Sequence, residues 1–302
     1  MRDAFLSKIT ELAAKDKDIV LLTGDLGFGV FEEFEAAFPG QYFNVGVSEQ
    51  NMTGLAAGLA LEGKKVITYS IGNFPTLRCL EQIRNDACYH DLNITIVASG
   101  GGFSYGSLGM SHHTTEDIAI MRALPAMRVA APGTVWEAGE ATESMIKHNG
   151  VGYLRLDKTV FKGSLTPSSF GKSTRYKEGL DVTLLTTGGI LHDVVEAAQL
   201  LQMQGVDASV VSMHSIKPID KDAIIVAAKE TGGIVTVEEH NVDGGLGSSV
   251  AEVCMDNGVV PKVFLRIALK DRYSSIVGSQ DYLKAYYGMS AASIFEKVLK
   301  LL

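Results

Sequence analysis

Short apolar runs alternate with segments of helical period along most of this chain. That alternation restricts the fold more than any other feature. DIVLLTGD (18–25), KKVITYS (64–70), LNITIVAS (92–99), AMRVAAP (126–132) and GVGYLRLD (150–157) read as strands. Phe5, Leu6, Ile9, Leu12 and Ala13 recur near the helical period over 3–15, and further helices are read at 76–90, around 115–123 and at 134–147. NVGVSEQNMTGLAAGLALEG (44–63) reads as a strand entering a helix, with Ser48 as N-cap and Gly63 as stop. Strands separated by crossover helices pair in parallel, and such sheets are covered on both faces.

The rhythm breaks at TVFKGSLTPSSFGKSTRYKEGL (159–180), which is polar and holds Pro167 and three glycines. This composition predicts a linker. The alternation then resumes with DVTLLTTGG, VDASVVSM, GIVTVEEH and KVFLRIAL as strands, helical patterns between them, and terminal helices over 281–302. The expected class is α/β, with two domains that are each a mainly parallel sheet covered by helices. Their bounds are 1–160 and 181–302, with a linker at 161–180. Each half is long enough to bury a core of its own.

Several function classes are disfavoured. A formal net charge of −8 offers no basic footprint for nucleic acid or an anionic membrane. No apolar run approaches the roughly 18 residues that a bilayer span needs. The first residues, MRDAFLSKITELAAKDKD, carry charges throughout and lack the apolar stretch of a signal peptide. The three cysteines, Cys79, Cys88 and Cys254, are widely spaced without a CxxC pair and read as core packing. A cytoplasmic protein that binds neither nucleic acid nor membrane is expected.

Open parallel sheets collect ligands beyond the carboxyl ends of their strands. That rule selects the loops at 24–29, 46–51, 70–76 and 100–115. Glu49 lies in the second. One reading is an acid favoured in a first helical turn by the macrodipole. The other is a proton-handling carboxylate among Val45, Val47 and Met52. The segment 92–115 contains no Asp, Glu, Lys or Arg and ends in Ser111-His112-His113. Thr115 is placed to cap the next helix. His112 reads as a hydrogen-bonding or acid–base group in a cleft. A metal is the weaker reading, since adjacent histidines diverge and no third ligand stands at a recognisable spacing. Asp25 is a turn acid. Arg2, Arg78 and Lys158 are either anion ligands or surface charges, and the glycines at 244–247 could approach a phosphate.

Taken in order, RDAFLSKITELA, TGDLG, FNVGVSEQNMTGLAAGLALEGKKVITYS, LEQIRND and GMSHHTTEDIAIMRALPAMRVAAPG resemble the pyrimidine-binding domain of transketolases. The stretch DVTLLTTGG, SIKPID, GGIVTVEEHNVDGGLGSSVAE is similar to the transketolase C-terminal domain. The resemblance is greatest to the separate C-terminal subunit of split transketolases. It implies thiamine diphosphate as cofactor and transfer of a two-carbon ketol unit from a ketose, in the phosphorylated form, to an aldose. The family's diphosphate domain carries GDG and a downstream Asn, and this chain has no GDG. The resemblance therefore implies an N-terminal partner subunit that holds the diphosphate and its divalent metal, magnesium, in a heterotetramer with two copies of each subunit.

The same resemblance implies roles. Glu49 matches the family's glutamate at the pyrimidine N1′, and His112 the histidine that faces the donor's reacting hydroxyl and carbonyl. Asp25 falls near the cofactor and the subunit contact. Phe74 packs on the pyrimidine, with Arg78 as a neighbour of that pocket. Arg2 matches a sugar-phosphate arginine, and Lys158 replaces a basic residue that is usually arginine. Leu108 stands where many transketolases carry a sugar-reading acid, and Gly100 where they carry a phosphate-facing histidine, so the substrate is expected to differ from ordinary pentose phosphates. The competing readings are the beta chain of a 2-oxo acid dehydrogenase or a deoxyxylulose-phosphate synthase half, and a non-catalytic binding subunit. HHTTEDIAIMR favours transketolase.

Overall fold

The computed structural model describes residues 1–27, 29–163 and 169–302. Its first half runs α1 (Arg2–Ala13), β1 (Ile19–Thr23), α2 (Glu32–Ala37), β2 (Tyr42–Asn44), α3 (Glu49–Leu61), β3 (Lys65–Ile71), α4 (Leu80–Gln82), β4 (Ile94–Ser99), α5 (Asp117–Ala123), β5 (Arg128–Ala130), α6 (Val135–Lys147) and β6 (Gly152–Leu156). The second half adds β7 (Thr174–Lys177), β8 (Val182–Thr187), α7 (Leu191–Met203), β9 (Ala208–Ser212), β10 (Ser215–Lys217), α8 (Lys221–Glu230), β11 (Ile234–Asn241), α9 (Leu246–Asp256), β12 (Phe264–Leu269), α10 (Gln280–Tyr286) and α11 (Ala291–Leu299).

Two sheets result. Seven strands are ordered β10-β5-β6-β4-β3-β1-β2, and five are ordered β12-β11-β8-β9-β7. Within each sheet one edge strand is antiparallel, β10 against β5 and β7 against β9, and the others are parallel. Every residue of β1, β4, β6, β8 and β9 is buried, as expected of strands covered on both faces.

One expectation is corrected. The 161–180 stretch is not wholly a linker, because Thr174–Lys177 forms β7; residues 164–168 lie outside the described part. Each half keeps an apolar cluster of its own, and a third cluster is shared between them. β10 crosses over to pair with β5 of the first sheet. Val211, Met213, Ile216, Ile224 and Leu246 of the second half share one apolar cluster with Met121, Val129 and Tyr153 of the first. An uncovered β5 edge would leave backbone donors and acceptors unpaired, and β10 satisfies them.

The helix read at 76–90 changes pitch along its length. A tight 3₁₀ turn (Leu77–Cys79) leads into α4 and then a π-helical segment (Ile83–Cys88). The Cys79 N–H closes the first turn on the Thr76 carbonyl at 3.0 Å, and the Thr76 hydroxyl and Arg78 N–H donate back to the carbonyls of Gly72 and Asn73. Such pitch changes recur at functional sites.

The start of α6 is a reciprocal cap. Thr134 Oγ1 accepts the Glu137 N–H at 3.1 Å, and the Glu137 carboxylate accepts the Gly133 N–H at 2.8 Å. Thr134→Ala is expected to cost about 1 kcal/mol, read as a lower urea midpoint with unchanged slope.

Candidate active site

The ends of β1, β2, β3 and β4 bring the selected loops together. Asn44, the last residue of β2, ties two of them. Its Oδ1 accepts the N–H groups of Asp25 and Gly46, and its Nδ2 donates to the Asp25 carboxylate, each at 3.0 Å. Gly46 has a positive φ of 77°, so the chain turns sharply into α3. Ser48 stands at the predicted cap position but makes no side-chain cap. Its backbone (φ −149°, ψ 64°) turns the hydroxyl back to donate to the Val45 carbonyl at 3.0 Å.

Glu49 then opens α3 with its side chain only 2 % exposed. One carboxylate oxygen accepts the Ser70 hydroxyl at 3.2 Å and the other accepts Arg78 Nη1 at 2.7 Å. A buried carboxylate is costly unless it is paired and hydrogen-bonded, and both conditions are met here. The Arg78 side chain is itself 44 % exposed, so the partner that neutralises Glu49 remains free to leave. The Arg78 guanidinium carbon lies 4.5 Å from the centroid of the Phe74 ring. Phe74 in turn meets His112 edge-on, with centroids 5.2 Å apart. Glu49, Arg78, Phe74 and His112 thus form one continuous row of contacts drawn from three loops.

The two histidines diverge. His112 is half-buried, and its Nδ1 lies 3.0 Å from the Ser111 hydroxyl. His113 turns inward, edge-on to Phe103 at 5.1 Å, with Nε2 at 3.2 Å from the Gly106 carbonyl oxygen. Burial pushes the His113 imidazole below its ordinary pKa. The Asn73 amide donates to the His113 carbonyl and so joins the third loop to the fourth. Thr115 does not cap α5. Glu116 holds that position, and the Thr115 hydroxyl donates to the Glu116 carboxylate at 2.9 Å.

Arg2 and Lys158 do not touch Glu49. They line a cavity of about 520 Å³ together with Leu26, Tyr69, Ser99 and Tyr105. Arg2 is also paired with Asp3 at 3.2 Å. Lys158 Nζ lies 3.6 Å from the centroid of Tyr105, and partial desolvation lowers its pKa. The Tyr105 ring stands 6.5 Å from His112, so it links this cavity to the Glu49 row. A Cβ on Gly100 would collide with Tyr105 Cε2, so the ring fills the space beside that glycine. Leu108 and Met110 are exposed on the loop that carries His112.

Asn44, Ser70, Asn73 and Tyr105 are not marked by residue type, although Ser70, Asn73 and Tyr105 fall in selected loops. The reading of the 244–247 glycines as a phosphate approach is overturned. The Leu246 and Gly247 amides at the start of α9 are taken by the buried Glu238 carboxylate, at 2.7 and 2.8 Å. Cys79 and Cys254 are buried and Cys88 half-buried, and burial pushes the Cys79 and Cys88 thiols up to about 11.

Two packed α/β domains with a buried acid at a strand-end cleft define a class, and comparison with known proteins fixes the family. Residues 1–162 match the transketolase pyrimidine-binding domain, and residues 171–294 match the transketolase C-terminal domain. The chain belongs to the transketolase family. It is 33 % identical to an apulose-4-phosphate transketolase subunit from Phocaeicola vulgatus, covering 99 % of this chain and 96 % of that protein. It is 36 % identical to the 6-deoxy-6-sulfo-D-fructose transketolase subunit SqwH of a Clostridium species, covering 97 % and 92 %. Among solved structures it superposes on a split-gene transketolase, described as an inactive β4 tetramer, with a TM-score of 0.88 at 35 % identity over 100 % of this chain and 97 % of that one. Among the described residues no helix is long and apolar enough to cross a membrane.

Proposed function

We propose that this chain is the pyrimidine-binding, C-terminal subunit of a two-component cytoplasmic transketolase, which moves a two-carbon ketol unit from a ketose to an aldose. The observation that carries this reading is the buried Glu49 carboxylate, held by Ser70 and Arg78 and continuous through Phe74 with His112. The residues fit a thiamine pyrimidine. Glu49 supplies the carboxyl for a ring nitrogen and Phe74 an aromatic face. Asn73 Oδ1 and Thr114 Oγ1 are buried acceptors without a partner in the adjoining loops. When bound, thiamine diphosphate supplies a carbon nucleophile that breaks and remakes the bond beside a ketose carbonyl.

The chain's own residues orient that chemistry. Glu49 holds a proton at the ring nitrogen, displacing Arg78 from its second oxygen. His112 hydrogen-bonds the substrate's reacting oxygens. Asp25, fixed by Asn44, lies at the outer edge of the cleft near the partner contact. Arg2 and Lys158 receive an anionic sugar end. A single ammonium lacks the fork of a guanidinium, so this recognition depends on charge more than on geometry. Lys158→Ala is expected to raise KM for a phosphorylated ketose about ten- to a hundredfold with a smaller change in kcat, measured by initial rates.

The diphosphate and its divalent metal, magnesium in this reading, are assigned to an N-terminal partner subunit, with two copies of each chain. Support comes from relatives named as single subunits of transketolases and from a structural neighbour described as an inactive β4 tetramer. The test combines this chain with its partner, thiamine diphosphate and magnesium. Ketol transfer should appear in the full mixture and vanish when any component is left out. Pyruvate decarboxylation without ketose cleavage, or cofactor binding without transfer on a broad sugar panel, would contradict the assignment.

A further inference from the structure

We propose that Glu239, near the end of β11 in the C-terminal domain, is a positioning residue that holds the 100–113 loop and through it His112 and Tyr105. The inference rests on the proposed transketolase reading for its catalytic consequence, and on geometry alone for the anchoring itself.

The loop is a chain of short turns with a single bridge, Gly102 to Thr114, across its base. It has no charged side chain, and Gly100, Gly102 and Gly109 all have positive φ. Its own domain holds its ends through Leu156 and Asn73, and the other domain holds its middle. One oxygen of the buried Glu239 carboxylate accepts the Phe103 N–H. Gln280 Nε2 donates to both oxygens, at 3.1 and 2.9 Å. A Cβ on Gly102 would lie 2.6 Å from Glu239, so only glycine lets the carboxylate reach the backbone. The Asn241 N–H donates to the Thr115 carbonyl at 2.7 Å, pinning the far end. Phe103 also stacks on Tyr287 at 5.6 Å.

The route from Phe103 to the site is short. The Gly106 N–H bonds the Phe103 carbonyl at 2.8 Å, and His113 touches both the Phe103 ring and the Gly106 carbonyl. His112 directly precedes His113. Tyr105 lies inside the turn that the Phe103–Gly106 bond closes. Loss of the Glu239 anchor would therefore displace His112 and, with Tyr105, one wall of the cavity that holds Lys158.

The charges facing Glu239 are Asp157, which repels it, and Arg155 and Lys284, which attract it. Burial first and Asp157 second raise its carboxyl to about 7. Ionised, it offers acceptors to donors on both oxygens. Once protonated below about pH 7, it turns a donor toward the Gln280 amide. Glu239→Gln keeps the Phe103 acceptor and carries that donor at every pH.

Amide hydrogen exchange on the full chain and kinetics on the reconstituted mixture test this together. Glu239→Ala should speed exchange across 100–113 about tenfold or more, with the protection of β1, β3 and β4 retained. It should lower kcat about ten- to a hundredfold more than it changes KM. Wild-type kcat should fall through an acid limb near pH 7, and Glu239→Gln should remove that limb at a reduced rate. Unchanged exchange in Glu239→Ala, or a wild-type acid limb in Glu239→Gln, overturns the proposal. A wild-type mixture without ketol transfer would sink the functional reading instead, while the exchange result would still decide the anchor.

Discussion

Glu49→Ala, mixed with the partner subunit, thiamine diphosphate, magnesium, a ketose and an aldose, loses ketol transfer by about 10²–10³ in kcat or more. This is the scale on which one preorganised electrostatic group acts at a reacting centre. The fold survives, because Arg78 is 44 % exposed and returns to water when its partner is removed. The unfolding midpoint therefore stays near that of the wild type while turnover collapses. Glu49→Gln falls with it, since an amide keeps the hydrogen-bonding shape but cannot hold the proton. Ketose consumption followed beside thermal unfolding separates the two quantities. Full turnover in either variant contradicts the assignment.

Arg155→Ala should produce the largest loss of stability of any substitution considered. Arg155 is buried where the two domains meet, and its three nitrogens reach Asp117 Oδ1 at 3.4 Å, Asp157 Oδ1 at 3.2 Å and the Glu239 carbonyl at 2.9 Å. The surrounding carboxylates have few other donors. Asp117 takes the Tyr153 hydroxyl at 2.5 Å, and Asp157 takes the Gly189 N–H at 2.6 Å. The packing is tight enough that a Cβ on Gly101 would collide with Arg155 Nε. Removing the guanidinium leaves buried negative charge without compensation, at a cost of about 3–5 kcal/mol. Urea unfolding of the purified chain measures it. A loss below about 1 kcal/mol would mean that the network is solvated or that the carboxylates are neutral.

These two residues differ in how far the sequence announced them. The place of Glu49 at the sheet edge is legible because its loop is defined by topology: a parallel strand must end at the same edge of the sheet as its neighbours, and that edge gathers the loops; the role proposed for it comes from the family resemblance. The alternation of strand and helix follows from local residue pattern and was readable for the same reason. β10 was not. It is three residues long and is set by an exposed edge of a strand more than eighty residues earlier. β7 is hidden because Pro167, three glycines and the polar residues around it give its segment the composition of a linker. Ser48 and Thr115 carry the residue type of a cap, yet their hydroxyls found other partners within one turn, which residue type cannot report.

Arg155 and Glu239 carry no pattern at all. Each lies inside a strand that reads as ordinary core. The contact between Glu239 and Phe103 joins residues 136 positions apart. Tyr105 is similar: its position between Lys158 and His112 follows from how the loop closes over Gly100.

A crystal structure of the two-subunit assembly with thiamine diphosphate and magnesium bound is the most direct test of the central claim. The Glu49 carboxylate should lie within about 2.6–3.2 Å of the pyrimidine N1′, with Arg78 moved off its second oxygen. A carboxylate still paired with Arg78 and turned away from the ring would contradict the account.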